Sequence, residues 1–211
     1  MPTTELVFSH FKPETAKTGF TITAQEFENL HDTPGLLFRT FGRVIRHNNQ
    51  DVTQEYRGAL AIEWDQPSSF YALLHPDAHV LKDILGKIVP FMAVKAAPTL
   101  FQAENEEGGS PQALKAGVTQ IITVRGGDVD AVAAKGEEFI QLVKESQGVV
   151  GAWSGRGIDE AEIKWLGIVG WKGVESLDAA AKNEQIVKEL EGLKASEGVD
   201  EYVVRFGQQE S

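Results

Sequence analysis

The sequence predicts an α+β fold of two ferredoxin-like halves, each with the order β-α-β-β-α-β. Three observations point to it. A polar, acidic stretch containing Gly and Pro, 102–111, lies near the midpoint of the 211 residues and reads as a linker. The same succession of strand-like and helix-like periodicities occurs on both sides of it. Trp64, Ser69 and Ala72 recur at the same mutual spacing as Trp171, Ser176 and Ala179. The expected boundaries are a first domain over 1–103, a linker over 104–116 and a second domain over 117–211.

In the first half, the apolar run 6–11 predicts a strand. The stretch 23–31 predicts a helix, with Thr23 as its cap and Glu26 three residues on, the spacing of a capping box. Strands follow over 37–47 and 56–64. The stretch 68–89 has helical spacing but is interrupted at Pro76, and 97–101 predicts a last strand.

The second half is plainer. The β-branched run 118–124 is bounded by Gly126-Gly127-Asp128 and predicts a strand. Over 129–147, Val132, Phe139, Leu142 and Val143 recur at helical spacing before Gly148 stops the helix. Strands are predicted over 149–156 and 163–171, with Ile163, Trp165, Val169 and Trp171 expected on one face because strand side chains alternate. A helix over 174–193 buries Leu177, Ala181, Ile186, Leu190 and Leu193, and a strand over 202–206 completes the set.

Composition narrows the function classes. Twenty basic against 31 acidic residues give a net charge of -11, which argues against a phosphate backbone as partner. Zero cysteines exclude disulfides, thiolate metal sites and cysteine nucleophiles. The start, Met1 to His10, shows no signal-peptide pattern, and apolar runs are too short for a membrane helix. A cytoplasmic protein without nucleic-acid or membrane partners is expected. No Gly-x-Gly-x-x-Gly, Walker or nucleophile-elbow pattern occurs.

All five histidines (His10, His31, His47, His75 and His79) lie in the first 79 residues. His75 and His79 are spaced i, i+4, but Pro76 between them favours a helix start over a continuous helix face. Two histidines across such a break do not fix a metal geometry, and no metal is assigned. Arg39 and Arg43 share a face with Phe41, a pattern that fits either an anion-binding face or an edge strand protected by charge.

The pair Glu63-Trp64 at the end of the third strand, followed by a helical stretch bearing His75 and His79, resembles the antibiotic-biosynthesis-monooxygenase-like members of the dimeric α+β barrel superfamily. The second half resembles the same fold, with Trp171 but without the acid or the histidines. Two such halves in one chain resemble the fused, two-copy members found in fungi. The resemblance implies that the two four-stranded sheets close into a barrel within the chain. It also implies a cleft between each sheet and its helices where small hydrophobic or aromatic ligands sit.

On that resemblance, the chain is expected to act on an aromatic or polyketide-type substrate by acid–base chemistry, as a monooxygenase or cyclase of secondary metabolism without organic cofactor. The alternative is a ligand-binding or interaction protein of the same fold. His75 or His79 would move the proton, Glu63 would orient it, and Trp64, Phe70, Tyr71 and His10 would hold the ligand. A homodimer of the fused chain is a further possibility under the same resemblance.

Overall fold

A computed structural model of the chain describes residues 1–75, 79–103, 110–126, 128–158 and 161–207. In the first half the strands are β1 (Thr3–Phe11), β2 (Leu36–His47), β4 (Arg57–Trp64) and β6 (Thr99–Ala103), with the short β3 (Gln50–Asp51) and β5 (Met92–Val94) beside them. The helices are α1 (Ala16–Glu28), α2 (Pro67–Leu73) and α3 (His79–Ile88). In the second half β7 (Val118–Val124), β8 (Val149–Gly157), β9 (Trp165–Trp171) and β10 (Val199–Phe206) alternate with α5 (Val129–Lys144), α6 (Val174–Ala180) and α7 (Glu184–Lys194). Between the halves lies one helical turn, α4 (Pro111–Leu114).

The first half orders its main strands β6-β1-β4-β2 and the second β10-β7-β9-β8. Counted by position within each half, both orders are four-one-three-two, the ferredoxin-like arrangement. β6 pairs with β8 along one seam, and β10 pairs with β2 along the other. The result is a closed antiparallel ring of eight strands, which leaves no long edge exposed among the described residues. Arg46 crosses the second seam to Asp178 at 2.6 Å and holds its carboxyl below the usual range. β2 is therefore an interior strand, and its arginines do not guard an edge.

Alternation along the strands sorts the side chains into a barrel core and two outer cores. Leu6, Ala61, Phe101, Ile121, Ile168 and Val204 fill the barrel. Leu60, Ile62, Trp64 and Leu100 face the helices of the first half, and Ile122, Trp165, Val169 and Trp171 those of the second. Ile163 departs from the expected face: it precedes the start of β9 and packs into the barrel.

Both halves build the same corner. Gly35 and Gly148 take positive φ, +79° and +92°, just before the second strand of each half. Their carbonyls accept from the N–H of Asp65 and Lys172, one residue past Trp64 and Trp171. At each glycine a Cβ would run into the side chain of Ser69 or Ser176. The repeated serine of the sequence is thus the residue against which a left-handed glycine closes the corner.

Two elements differ from expectation. α1 begins after Thr15, with Thr23 buried inside it, so Thr23 does not cap the helix and its hydroxyl has no hydrogen-bond partner among the described residues. The β-branched residues of 18–23 are weak helix formers, but Ile22 and Phe27 pack on the sheet, and packing overrides local preference. The expected linker also differs. Residues 104–109 lie outside the described residues, but Ser110, Ala113, Leu114 and Ala116 are buried, and Ala113 and Leu114 belong to the barrel core.

α5 starts where the Asp128 side chain accepts from the Ala131 N–H at 3.2 Å, a side-chain cap. At Gly136 of this helix, a Cβ would sit 2.5 Å from the ring of the fully buried Trp165. Gly136→Ala gains helix propensity of about 1 kcal/mol but overpacks the indole, which costs roughly 1–3 kcal/mol. We expect a net loss of stability in chemical denaturation. A stabilised variant would show that the indole can move aside.

Candidate functional site

β1 and β4 run antiparallel with Thr3 opposite Trp64 and Glu5 opposite Ile62. Glu5 and Trp64 both point toward the helices, and the Trp64 indole N–H donates to Glu5 Oε2 at 2.9 Å. Trp64 is fully buried and Phe70 of α2 meets it edge-on at 6.2 Å. Glu5 is 6% exposed. Among the described residues the indole is its only side-chain hydrogen-bond donor. Burial pushes the Glu5 carboxyl up to about 7, and the indole hydrogen bond offsets part of that rise.

The second half has the same construction with different chemistry. Val118 lies opposite Trp171, so Gln120 occupies the position that corresponds to Glu5. The Trp171 indole donates to Gln120 Oε1 at 3.3 Å, and Gln120 Nε2 donates to Glu201 Oε1 at 2.6 Å. Lys194 reaches the other oxygen of Glu201 at 2.7 Å. Here the amide is matched at both ends, and the position beneath the tryptophan cannot titrate. The first half keeps a titratable acid where the second has an amide.

The structure does not bring the sequence-expected catalytic residues together. Glu63 is next to Trp64 in the strand and so points to the opposite side, into the barrel. Its Oε2 accepts from Thr4 Oγ1 and from Ser110 Oγ, both at 2.8 Å, and burial raises its pKa. It cannot orient a histidine on the helix side of the sheet. His75 is exposed in the bend after α2, and His79 is exposed at the first residue of α3. Pro76, on which their relation turns, lies outside the described residues.

Of the expected ligand-holding residues, Trp64 and Phe70 do lie together under the helices. Tyr71 is 44% exposed. His10 is at the far end of β1 on the barrel side, beside Arg57 and Tyr202. Arg39 and Arg43 face the helix side: Arg39 binds the Glu28 carboxylate at 2.7 Å, and Arg43 reaches the Thr53 carbonyl and lies 5.9 Å from the Phe20 ring centre. Among the described residues no three His, Asp or Glu side chains gather as metal ligands.

The sequence does not single out Glu5. The available signal was a single acid in the apolar strand around Leu6, two places from the residue that pairs with Trp64.

No family model and no curated protein sequence matches the chain. Solved structures do resemble it. An anthrone oxidase-like protein superposes with a TM-score of 0.66 at 10% identity, over 98% of this chain and 91% of its own. A candidate monooxygenase of Fusobacterium nucleatum gives 0.64 at 10% identity over 98% and 93%. A candidate monooxygenase of Lactobacillus acidophilus NCFM gives 0.62 at 10% identity over 98% and 94%. Among the described residues no helix is long and apolar enough to cross a membrane. With both halves in the ferredoxin-like order and the ring closed, the chain has the dimeric α+β barrel fold of these structures, formed within one polypeptide.

Proposed function

We propose that the first half carries an acid–base site for a small aromatic or polyketide-type substrate, with Glu5 as the titrating group in place of a histidine. The observation that supports this most is the contrast at one position: a buried acid of pKa about 7 under Trp64, against a fully bonded amide under Trp171. A general base works best when its pKa lies near the working pH. Proton removal needs no organic cofactor, and Trp64 and Phe70 would lie against the ring.

In such a step the Glu5 carboxylate takes a proton from an activated C–H of the substrate. The carbanion then meets either dioxygen or a carbonyl of the same molecule. With an anthrone, the methylene and one O2 become a ketone and one water. The names of the structural neighbours are consistent with chemistry of this kind, while a shared fold does not fix a reaction. Entry of the substrate requires α2 and α3 to part from the sheet. The tight packing of Trp64 and Phe70, 0% and 5% exposed, favours the alternative of a non-catalytic interaction protein.

The deciding experiment is oxygen uptake and product analysis with anthrone and related polyketides. The Glu5→Gln variant keeps an acceptor for the Trp64 indole and cannot take a proton. Turnover is expected to fall by about a hundred- to ten-thousand-fold. The His75→Ala, His79→Ala double variant is expected to stay near the parental rate. A histidine variant that loses turnover while Glu5→Gln keeps it would reverse the assignment.

A further inference from the structure

The ring of strands has two different ends. The end at Thr4 and Glu63 is covered by α4, whose Ala113 and Leu114 are buried in the barrel core. The end at His10 holds a half-open cavity of about 190 Å³. Phe8, Val44 and Tyr202 line its apolar side, and His10, Arg57 and Lys95 line it with basic groups. It lies on the barrel side of the sheet, away from Glu5 and Trp64, and nothing in the acid–base reading depends on it.

The aromatic wall is built firmly. Phe8 stacks on Tyr202 with ring centres 4.2 Å apart, and Tyr202 stacks on His47 at 4.5 Å with an interplanar angle of 7°. Arg57 donates to His47 Nδ1 at 3.0 Å, so the ring proton lies on Nε2, which approaches Asp200 Oδ1 at 3.1 Å. These bonds, with the Glu55 carboxylate on the other terminal nitrogen, fix the position of the Arg57 guanidinium at the rim.

The charges at this end do not cancel. Glu55 pairs with Arg57, and Asp200 is held by His47 and Asn48 on the far edge of the imidazole, with Arg125 3.8 Å away. Lys95 and His10 have no side-chain hydrogen bond or ion pair among the described residues. In a chain of net charge -11, a cavity lined by the unpaired Lys95 ammonium beside the His10 imidazole and the Arg57 guanidinium is locally specialised.

We infer that the open end of the barrel is a second binding site, for a small aromatic monocarboxylate of about benzoate size. The ring would lie against Phe8, Val44 and Tyr202, and the carboxylate would lie among His10, Arg57 and Lys95. Size supports this: an apolar cavity of about 150 Å³ holds a benzene ring, and the space here leaves room for one further small group. The carboxylate decides the affinity, because hydrogen bonds to charged partners contribute more than neutral ones.

The test titrates the full chain with sodium benzoate, benzamide and acetate, using calorimetry and amide chemical shifts. Benzoate is expected to saturate at a Kd of about 1 mM or below, with shifts at Phe8, His10 and Tyr202, and to bind at least about tenfold more tightly than the other two. Lys95→Gln and His10→Gln, at positions that are not fully buried, should each weaken benzoate by about tenfold with benzamide unchanged. Unchanged melting temperatures would show that both variants fold. Absence of saturable benzoate binding, equal binding of benzamide, or full affinity in both variants would each overturn the inference. Benzoate shifts confined to Trp64 and Phe70 would place the ligand in the other cleft and overturn it too.

Discussion

Glu5→Gln is expected to stabilise the protein strongly above neutral pH. In the unfolded chain this carboxyl titrates near 4.5, and in the folded protein burial moves it to about 7. The folded state therefore binds the proton more tightly. At low pH both states are protonated and burial of the group carries no ionisation cost. As pH rises through the window between the two values, the unfolded chain ionises first, and native stability falls. Above about pH 7 the full cost is present, about 3 kcal/mol, because each tenfold difference in proton affinity between the two states is worth about 1.4 kcal/mol. Glutamine removes that cost and still accepts from the indole, as Gln120 does in the second half.

The gap between variant and parent should be about 1.5 kcal/mol at about pH 5.5 and about 3 kcal/mol at about pH 8. In a chain of this size each kcal/mol is roughly 2–4 °C of melting temperature. Urea denaturation at the two pH values checks the prediction. A gap that does not change with pH would mean that the carboxyl titrates alike in both states, and the acid–base role would lose its basis. The prediction also separates function from folding. One substitution should raise stability and abolish turnover, which a merely structural glutamate would not produce.

The strands were the legible part of this fold. β7, β9 and most of β4 are buried on both faces, between the barrel core and a helical layer, so they read as short apolar runs bounded by Gly or polar residues. The start of α1 was not legible, because its β-branched residues favour a helix only once they are packed on the sheet. The site was legible in part. Trp64 and Phe70 marked the helix side of the third strand, but a linear reading placed Glu63 with them. Strand alternation sends adjacent residues to opposite faces, so Glu63 lies in the barrel and the acid under Trp64 comes from β1. Register between β1 and β4 decides this, and a single sequence without pairing information does not show it.

The segment after the chain midpoint is the other place where composition misled, and it carries the second large expected effect. Leu114 is 1% exposed and Ser110 is fully buried. If 110–116 acted as a spacer, Leu114→Ala would change stability by less than about 0.5 kcal/mol, as surface changes do. As the stopper of the barrel end, it should cost about 2–5 kcal/mol, the range for a buried leucine cut to alanine. Ser110→Ala acts through charge. Its hydroxyl is one of two donors to Glu63 Oε2, and Thr4 is the other. Burial already raises the Glu63 pKa, and loss of a donor raises it further; the unfolded carboxyl ionises alike in parent and variant, so the extra penalty grows as pH rises through the raised pKa of the folded parent. Leu114→Ala, which touches no titrating group, should show the same loss at every pH. Denaturation of both variants at two pH values distinguishes the mechanisms. A pH-independent loss for Ser110→Ala would mean that Glu63 stays protonated in the folded parent and variant alike or is held by Thr4 alone.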